Sequence, residues 1–166
     1  SNKTHDINVY INSPGGSVMA GNKMITMINS LREQDYNINC ITDFSASMAF
    51  IIMQSCTKRY GLPNVIMMQH QMSLGIKGEI NRIDSYLNFL HDVKNELNMM
   101  QSKRIGMDYN SFNEQIKDEW WIYGNKNKQF NILDDIVFIT CDGVFNNYTH
   151  EGTFYDTMYN GCPLFI

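Results

Sequence analysis

Apolar residues in the first 70 positions of the chain follow two alternating rhythms. INVYI, Ile7 to Ile11, is a short apolar-leaning run that stops at the turn residues Asn12-Ser13-Pro14-Gly15-Gly16, which predicts a strand and its end. From Ser17 to Arg32 the residues Val18, Met24, Ile25, Ile28 and Leu31 fall on one helical face. INCITDF predicts a second strand, and Ala46 to Cys56 a second helix, apolar nearly all round and therefore buried. Val65 to Gln69, after Leu62-Pro63-Asn64, predicts a third strand. Short strand-helix units in this order imply an α/β fold with parallel strands and right-handed crossovers. Such sheets gather their sites at the carboxyl ends of the strands.

The second half changes character. From Glu79 to about Gly106 the residues Ile80, Ile83, Leu87, Leu90, Val93, Leu97 and Met100 recur at three- and four-residue steps. This predicts a helix of about seven turns and roughly 40 Å. A helix of that length overhangs a small globule, so part of its stripe is expected to pack on another subunit. Asp108 or Ser111 is placed to cap a helix through Ile116, and DDIVFIT, Asp134 to Thr140, predicts a late strand. From Gly143 onward the chain is rich in aromatics and Asn without periodicity, and no element is assigned there. The division is one domain over 1–142 and a C-terminal extension over 143–166.

Composition narrows the function. A chain of 166 residues, 43% hydrophobic, builds one sizeable core. The net charge of −4 leaves no basic footprint, so neither nucleic acid nor an anionic membrane surface is expected as a partner. No apolar run reaches the roughly 18 residues that span a bilayer, and SNKTHDINV lacks a signal-peptide pattern, so a soluble chain is expected. Cys40, Cys56, Cys141 and Cys162 lack C-x-x-C spacing, which suits buried thiols in a reducing compartment better than a metal site or a disulfide framework. The twelve methionines are read as core filler, and His5, His91 and His150, without clustered partners, as surface residues. No metal or cofactor is expected.

One stretch raises a chemical question. FSASMAF, Phe44 to Phe50, lies where the second strand turns into the second helix. A serine there is ordinarily a helix N-cap. A serine at a tight strand-to-helix turn with small neighbours is also where hydrolases hold a nucleophile. Two further features meet it at the strand ends. The Ser-Pro-Gly-Gly turn leaves backbone N–H groups free at the start of a helix, and His70 follows the third strand in Met-Met-Gln-His-Gln. Nucleophile, base and oxyanion donors can then share one edge, as acyl transfer requires.

INSPGGSVMAG, then SASMA, then KRYGLPN with MMQHQ beyond it, then GEI opening the long helix, resemble the proteolytic subunit family of the caseinolytic (Clp) protease, ClpP. The similarity runs over roughly residues 6–137. It implies a ClpP/crotonase-like superfold of repeated strand-helix units, with the long helix as a protruding handle that joins two heptameric rings into a tetradecamer. It also implies a self-compartmentalised, ATP-dependent serine endopeptidase that takes unfolded polypeptide from an AAA+ unfoldase, as a homo-oligomer or in a mixed ring. The serine before the methionine, Ser47, matches the family nucleophile, and the histidine before glutamine, His70, its general base. Gly16 and Met48 match the backbone oxyanion donors, and Asp118 in Ile-Lys-Asp-Glu is the best match to the triad aspartate. A cytoplasmic or organellar setting, plastid-type or mitochondrial matrix, is expected.

Several positions depart from the family pattern. The proline after His-Gln is Met72, and the glycine-rich substrate strand reads Ser-Leu-Gly-Ile-Lys-Gly. The Arg and Phe after the triad aspartate are Glu119 and Trp120. The family's axial loops and first helix are expected to be absent, since the sequence opens at the first strand. Two alternatives follow: a non-catalytic, ClpR-like subunit of a mixed ring, and a crotonase-type enzyme acting on acyl-CoA, against which the Ser-Met and His-Gln pairs argue.

Overall fold

The structure, a computed structural model, describes residues 5–140 and two short strands at 149–151 and 158–160. Its elements in chain order are β1 (His5–Ser13), α1 (Val18–Arg32), β2 (Tyr36–Ala46), α2 (Met48–Ser55), β3 (Lys58–Gln69), α3 (Ile80–Ile105), α4 (Tyr109–Gln115), β4 (Trp120–Tyr123), α5 (Lys126–Gln129) and β5 (Asp135–Ile136). β6 (Thr149–Glu151) and β7 (Met158–Asn160) form a separate antiparallel pair. The main sheet has the order β1-β2-β3-β4, with β5 beside the start of β3. β1, β2, β3 and β5 run parallel, and β4 alone runs antiparallel, on the far edge of β3.

The parallel β-α-β units stand as the apolar pattern predicts, and each strand is longer than its apolar run. β3 begins at Lys58 and reaches Gln69 through Gly61-Leu62-Pro63. Its pairing with β2 breaks where Thr42↔Gly61 gives way to Phe44↔Ile66. Pro63 sits inside that break, where a residue with no N–H costs no ladder bond. All eight residues of α2 are buried, which agrees with its all-round apolar pattern. The handle helix α3 has 26 residues, about 39 Å at 1.5 Å per residue. Only its last third, from Leu97, is buried, while Ile80, Tyr86 and Phe89 are exposed. Gly106, in the left-handed region at φ 83°, ends it.

At the end of the sheet away from the site, Arg59 is 1% exposed yet fully partnered. Its guanidinium donates to both oxygens of Asp134, to Gln54 Oε1 and to the Asn131 carbonyl. One side chain thereby ties the end of α2, the start of β3 and the loop before β5 together.

Four expectations are corrected. Cys40 in β2 and Cys56 at the end of α2 are joined as a disulfide, because the crossover brings their Cα atoms to 5.9 Å. That removes the argument for a reducing compartment, which rested on free thiols; Cys141 and Cys162 lie outside the described residues. The late strand is two residues long rather than seven: only Asp135 and Ile136 pair in register with β3, flanked by single bonds from the Asp134 and Val137 N–H groups to the Arg59 and Gly61 carbonyls. The methionines divide: Met48, Met53, Met67 and Met68 are core, but Met19, Met24, Met27 and Met99 are exposed, so Met24 does not belong to the buried face of α1. Lastly, β4 was not expected. Its residues alternate buried and exposed in a run of only four, too short to register as a period. His5 and His91 are exposed as expected, and the His150 side chain lies outside the described residues.

Candidate active site

Three chain crossings meet at the carboxyl ends of β1, β2 and β3. Between β2 and α2 stands Ser47, at φ 55° and ψ −120°. This is a sparsely populated conformation for a residue with a Cβ, and such strain persists only where the surroundings over-determine it. Ser47 occupies the N-cap position of α2, but its side chain makes no capping hydrogen bond. Its Oγ lies instead 2.9 Å from Nε2 of His70. The Ser47 N–H donates to the Met68 carbonyl at 2.8 Å, which ties the turn to β3 two residues before the histidine. The N-cap role that the residue type first suggests is therefore not the one the serine plays. Ser45, its near neighbour, is fully buried and bonded to Thr42 Oγ1 at 2.8 Å, out of reach of a substrate.

The glycine pair supplies the opposite wall. Gly15 has φ 103°, and a Cβ there would come within 2.7 Å of the Ala46 carbonyl oxygen, 2.8 Å of the Ser47 Cβ and 3.0 Å of the Met48 nitrogen. The main chain of the first turn thus rests directly on the serine turn, an approach that no other residue type permits. The Gly15 N–H donates to Ser13 Oγ at 3.1 Å, which closes the turn. Gly16, at φ 148°, faces open space, since a Cβ there would meet nothing within 4 Å. Met48 is the first residue of α2, and the first amides of a helix have no acceptor within it. Gly16 and Met48 both line a cleft of about 170 Å³ with Ser13, Gly21, Met24 and Ile52. Ser47, His70, Gly16 and Met48 are therefore brought to one edge.

Asp118 is not among them. It lies exposed in the turn between α4 and β4, and no hydrogen bond or ion pair joins it to another described residue. The strand pairing directs attention to its neighbour. β3 and β4 pair as Met68↔Trp121 and Gln69↔Trp120, where the ladder ends, and His70 and Glu119 are the residues that come next on the two sides. The Glu119 carboxylate accepts from the Trp121 indole N–H at 2.8 Å. Sequence reading passed over Glu119 because the position depends on where β4 begins. The buried-exposed alternation of Trp-Trp-Ile-Tyr carries that information only once the strand is recognised.

A model of the Clp protease family matches residues 1–140, and the chain belongs to that family. Its fold is accordingly the ClpP/crotonase-like superfold, and the class is that of protease subunits of the ClpP type.

Proposed function

We propose that this chain is a serine endopeptidase subunit of a ClpP-type compartment. The observation that carries the proposal is the 2.9 Å contact between Ser47 Oγ and His70 Nε2 at a strained strand-to-helix turn. Ser47 attacks the peptide carbonyl as His70 takes its proton, and His70 returns that proton to the leaving amine. The negative charge that forms on the carbonyl oxygen is received by the backbone N–H groups of Gly16 and Met48. For the carboxylate that accepts the His70 Nδ1–H, family resemblance gives Asp118, while the β3-β4 register favours Glu119. The reading extends to assembly in heptameric rings, homomeric or mixed, supported by the exposed apolar residues of the handle, and to unfolded polypeptide delivered by an AAA+ unfoldase.

The test is reaction of the assembled protein with a fluorophosphonate, followed by peptide mapping. One adduct on Ser47, lost in Ser47→Ala and in His70→Ala, is the expected result. No adduct, or an adduct on Ser45, rejects the assignment.

A non-catalytic subunit is the second reading. In its favour, no carboxylate is hydrogen-bonded to His70 among the described residues, and Glu119 is engaged by Trp121. The same fluorophosphonate experiment separates the two.

A further inference from the structure

His70 stands where the sheet runs out. The β3-β4 ladder ends at Gln69↔Trp120, so the amide of His70 has no strand partner on that side. Gln69 supplies one from its own side chain: its Oε1 accepts the His70 N–H at 3.2 Å. Gln69 is 2% exposed, and its Nε2 donates to Oε1 of Gln101, a residue of α3 with no exposure at all. Gln101 Nε2 donates in turn to the Leu97 carbonyl at 3.1 Å and to Asn98 Oδ1 at 3.4 Å. Asn98 Nδ2 donates to Asn113 Oδ1 at 2.8 Å, and Asn113 Nδ2 to the Tyr109 carbonyl at 2.7 Å.

Every link of this chain of carboxamides runs in the same direction. It begins at a backbone N–H, which can only donate, and ends at carbonyls, which can only accept. No amide along it can turn round without breaking its bonds at both ends, and aligned bonds polarise one another. A core built for cohesion alone has no need of this. Gln69 and Gln101 are both buried, and a buried amide is costly unless fully paired. The chain has a definite terminus, and that terminus is the main chain of the residue whose ring meets Ser47.

We propose that Gln69 and Gln101 are positioning residues for His70, and that through them α3 and α4 set the backbone from which the imidazole reaches Ser47. This inference rests on Ser47 and His70 being the reacting pair. Gln101→Leu leaves the Gln69 amide without its acceptor and free to turn, which releases the His70 N–H. Misplacing a catalytic group by about 1 Å is enough to cost about a hundredfold in rate, and a smaller displacement correspondingly less.

The experiment compares the full chain with Gln101→Leu and with the double variant Gln69→Leu/Gln101→Leu, which substitutes apolar groups for both amides and so protects the fold if the single variant is unstable. Two readouts are taken: kcat and KM on a fluorogenic peptide per fluorophosphonate-titrated site, and amide hydrogen exchange in the peptide over residues 66–73. The expected result is a kcat about tenfold or more lower with KM unchanged, and faster exchange confined to the His70 segment while α2 keeps its protection. Both variants turning over at the parent kcat, or exchange at His70 unchanged, overturns the proposal. If the parent shows neither turnover nor an adduct on Ser47, the proposed function fails instead, and the exchange measurement still decides whether the amide chain holds the His70 backbone.

Discussion

Arg59 and Asp134 form a forked pair at the start of β3, with Nη2 2.6 Å from Oδ1 and Nε 3.2 Å from Oδ2. Burial pushes the Asp134 carboxyl up, but the Arg59 hydrogen bond and charge, with Arg104 behind it, outweigh that and hold it below the ordinary carboxylate range. A carboxylate depressed in the folded state contributes stability that is complete above its unfolded pKa of about 3.9 and is lost as pH falls through the folded value. Asp134→Asn removes the charge opposite a buried guanidinium and should cost on the order of 2 kcal/mol at neutral pH. Denaturant midpoints measured from pH 7 to pH 2.5 should show the gap between parent and variant constant down to about pH 4, then closing. A gap that does not change with pH would mean that the pair acts through shape alone.

Gly15→Ala should damage the site more than the fold. The added methyl meets the Ala46 carbonyl oxygen, the Ser47 Cβ and the Met48 nitrogen, and it demands a φ that alanine avoids. The neighbouring turn must give way, and with it the strained serine. Fluorophosphonate labelling of Ser47 should fall by about tenfold or more, while the far-UV spectrum stays that of the parent. Labelling at the parental rate would show that the turn has room to relax.

The Cys40–Cys56 bridge closes a loop over a sequence separation of 16 and should contribute about 3 kcal/mol by restricting the unfolded chain. Alkylation under denaturing conditions without reductant should leave both cysteines unmodified and joined in one linked peptide. Recovery of both as alkylated thiols contradicts the bridge. Cys40→Ser/Cys56→Ser should fold with a lower Tm.

Tyr86 and Phe89 are exposed and stacked on the part of α3 that is not buried, and under the proposed assembly they are the expected contacts of a second copy. Tyr86→Glu/Phe89→Glu should release smaller species in sedimentation without loss of helical signal. An unchanged mass would mean that assembly, if any, uses another surface.

The parts of the fold legible in the sequence are those with long periods. Ile25, Ile28 and Leu31 lie on one face of α1, and the unbroken apolar run of α2 marks it as buried. The edge that carries the site was legible too, since Gly15-Gly16, Ser47 and His70 each follow a strand. What escaped depends on pairing between distant segments. The disulfide needs the β2-α2 crossover to bring Cys40 and Cys56 together, and spacing alone does not reveal that. Gln69 and Gln101 look like ordinary polar residues until β3 and α3 are packed. Asp118 and Glu119 are adjacent, and only the register of a four-residue strand separates them.

That adjacency gives the last prediction. A Ser-His pair gains from a carboxylate on the second ring nitrogen, which fixes the tautomer and stabilises the imidazolium; substituting the matching amide in the serine-protease template costs on the order of 10⁴ in kcat. Family order points to Asp118, but its side chain is exposed and makes no hydrogen bond or ion pair to another described residue, and it lies one residue further than Glu119 from the last ladder pair, Gln69↔Trp120. Glu119 directly precedes β4, beside the last ladder pair, and is held by the Trp121 indole at 2.8 Å, so reaching His70 requires that bond to be shared or exchanged. Glu119→Gln should therefore lower kcat by about a hundredfold or more with oligomeric mass unchanged, and Asp118→Asn should stay within about threefold of the parent. Trp121→Phe, which frees the carboxylate, should leave kcat equal or higher. Should Asp118→Asn be the inactive variant and Glu119→Gln the active one, the turn before β4 must adopt a different register in the working enzyme. Should both retain activity, the site works as a Ser47-His70 dyad.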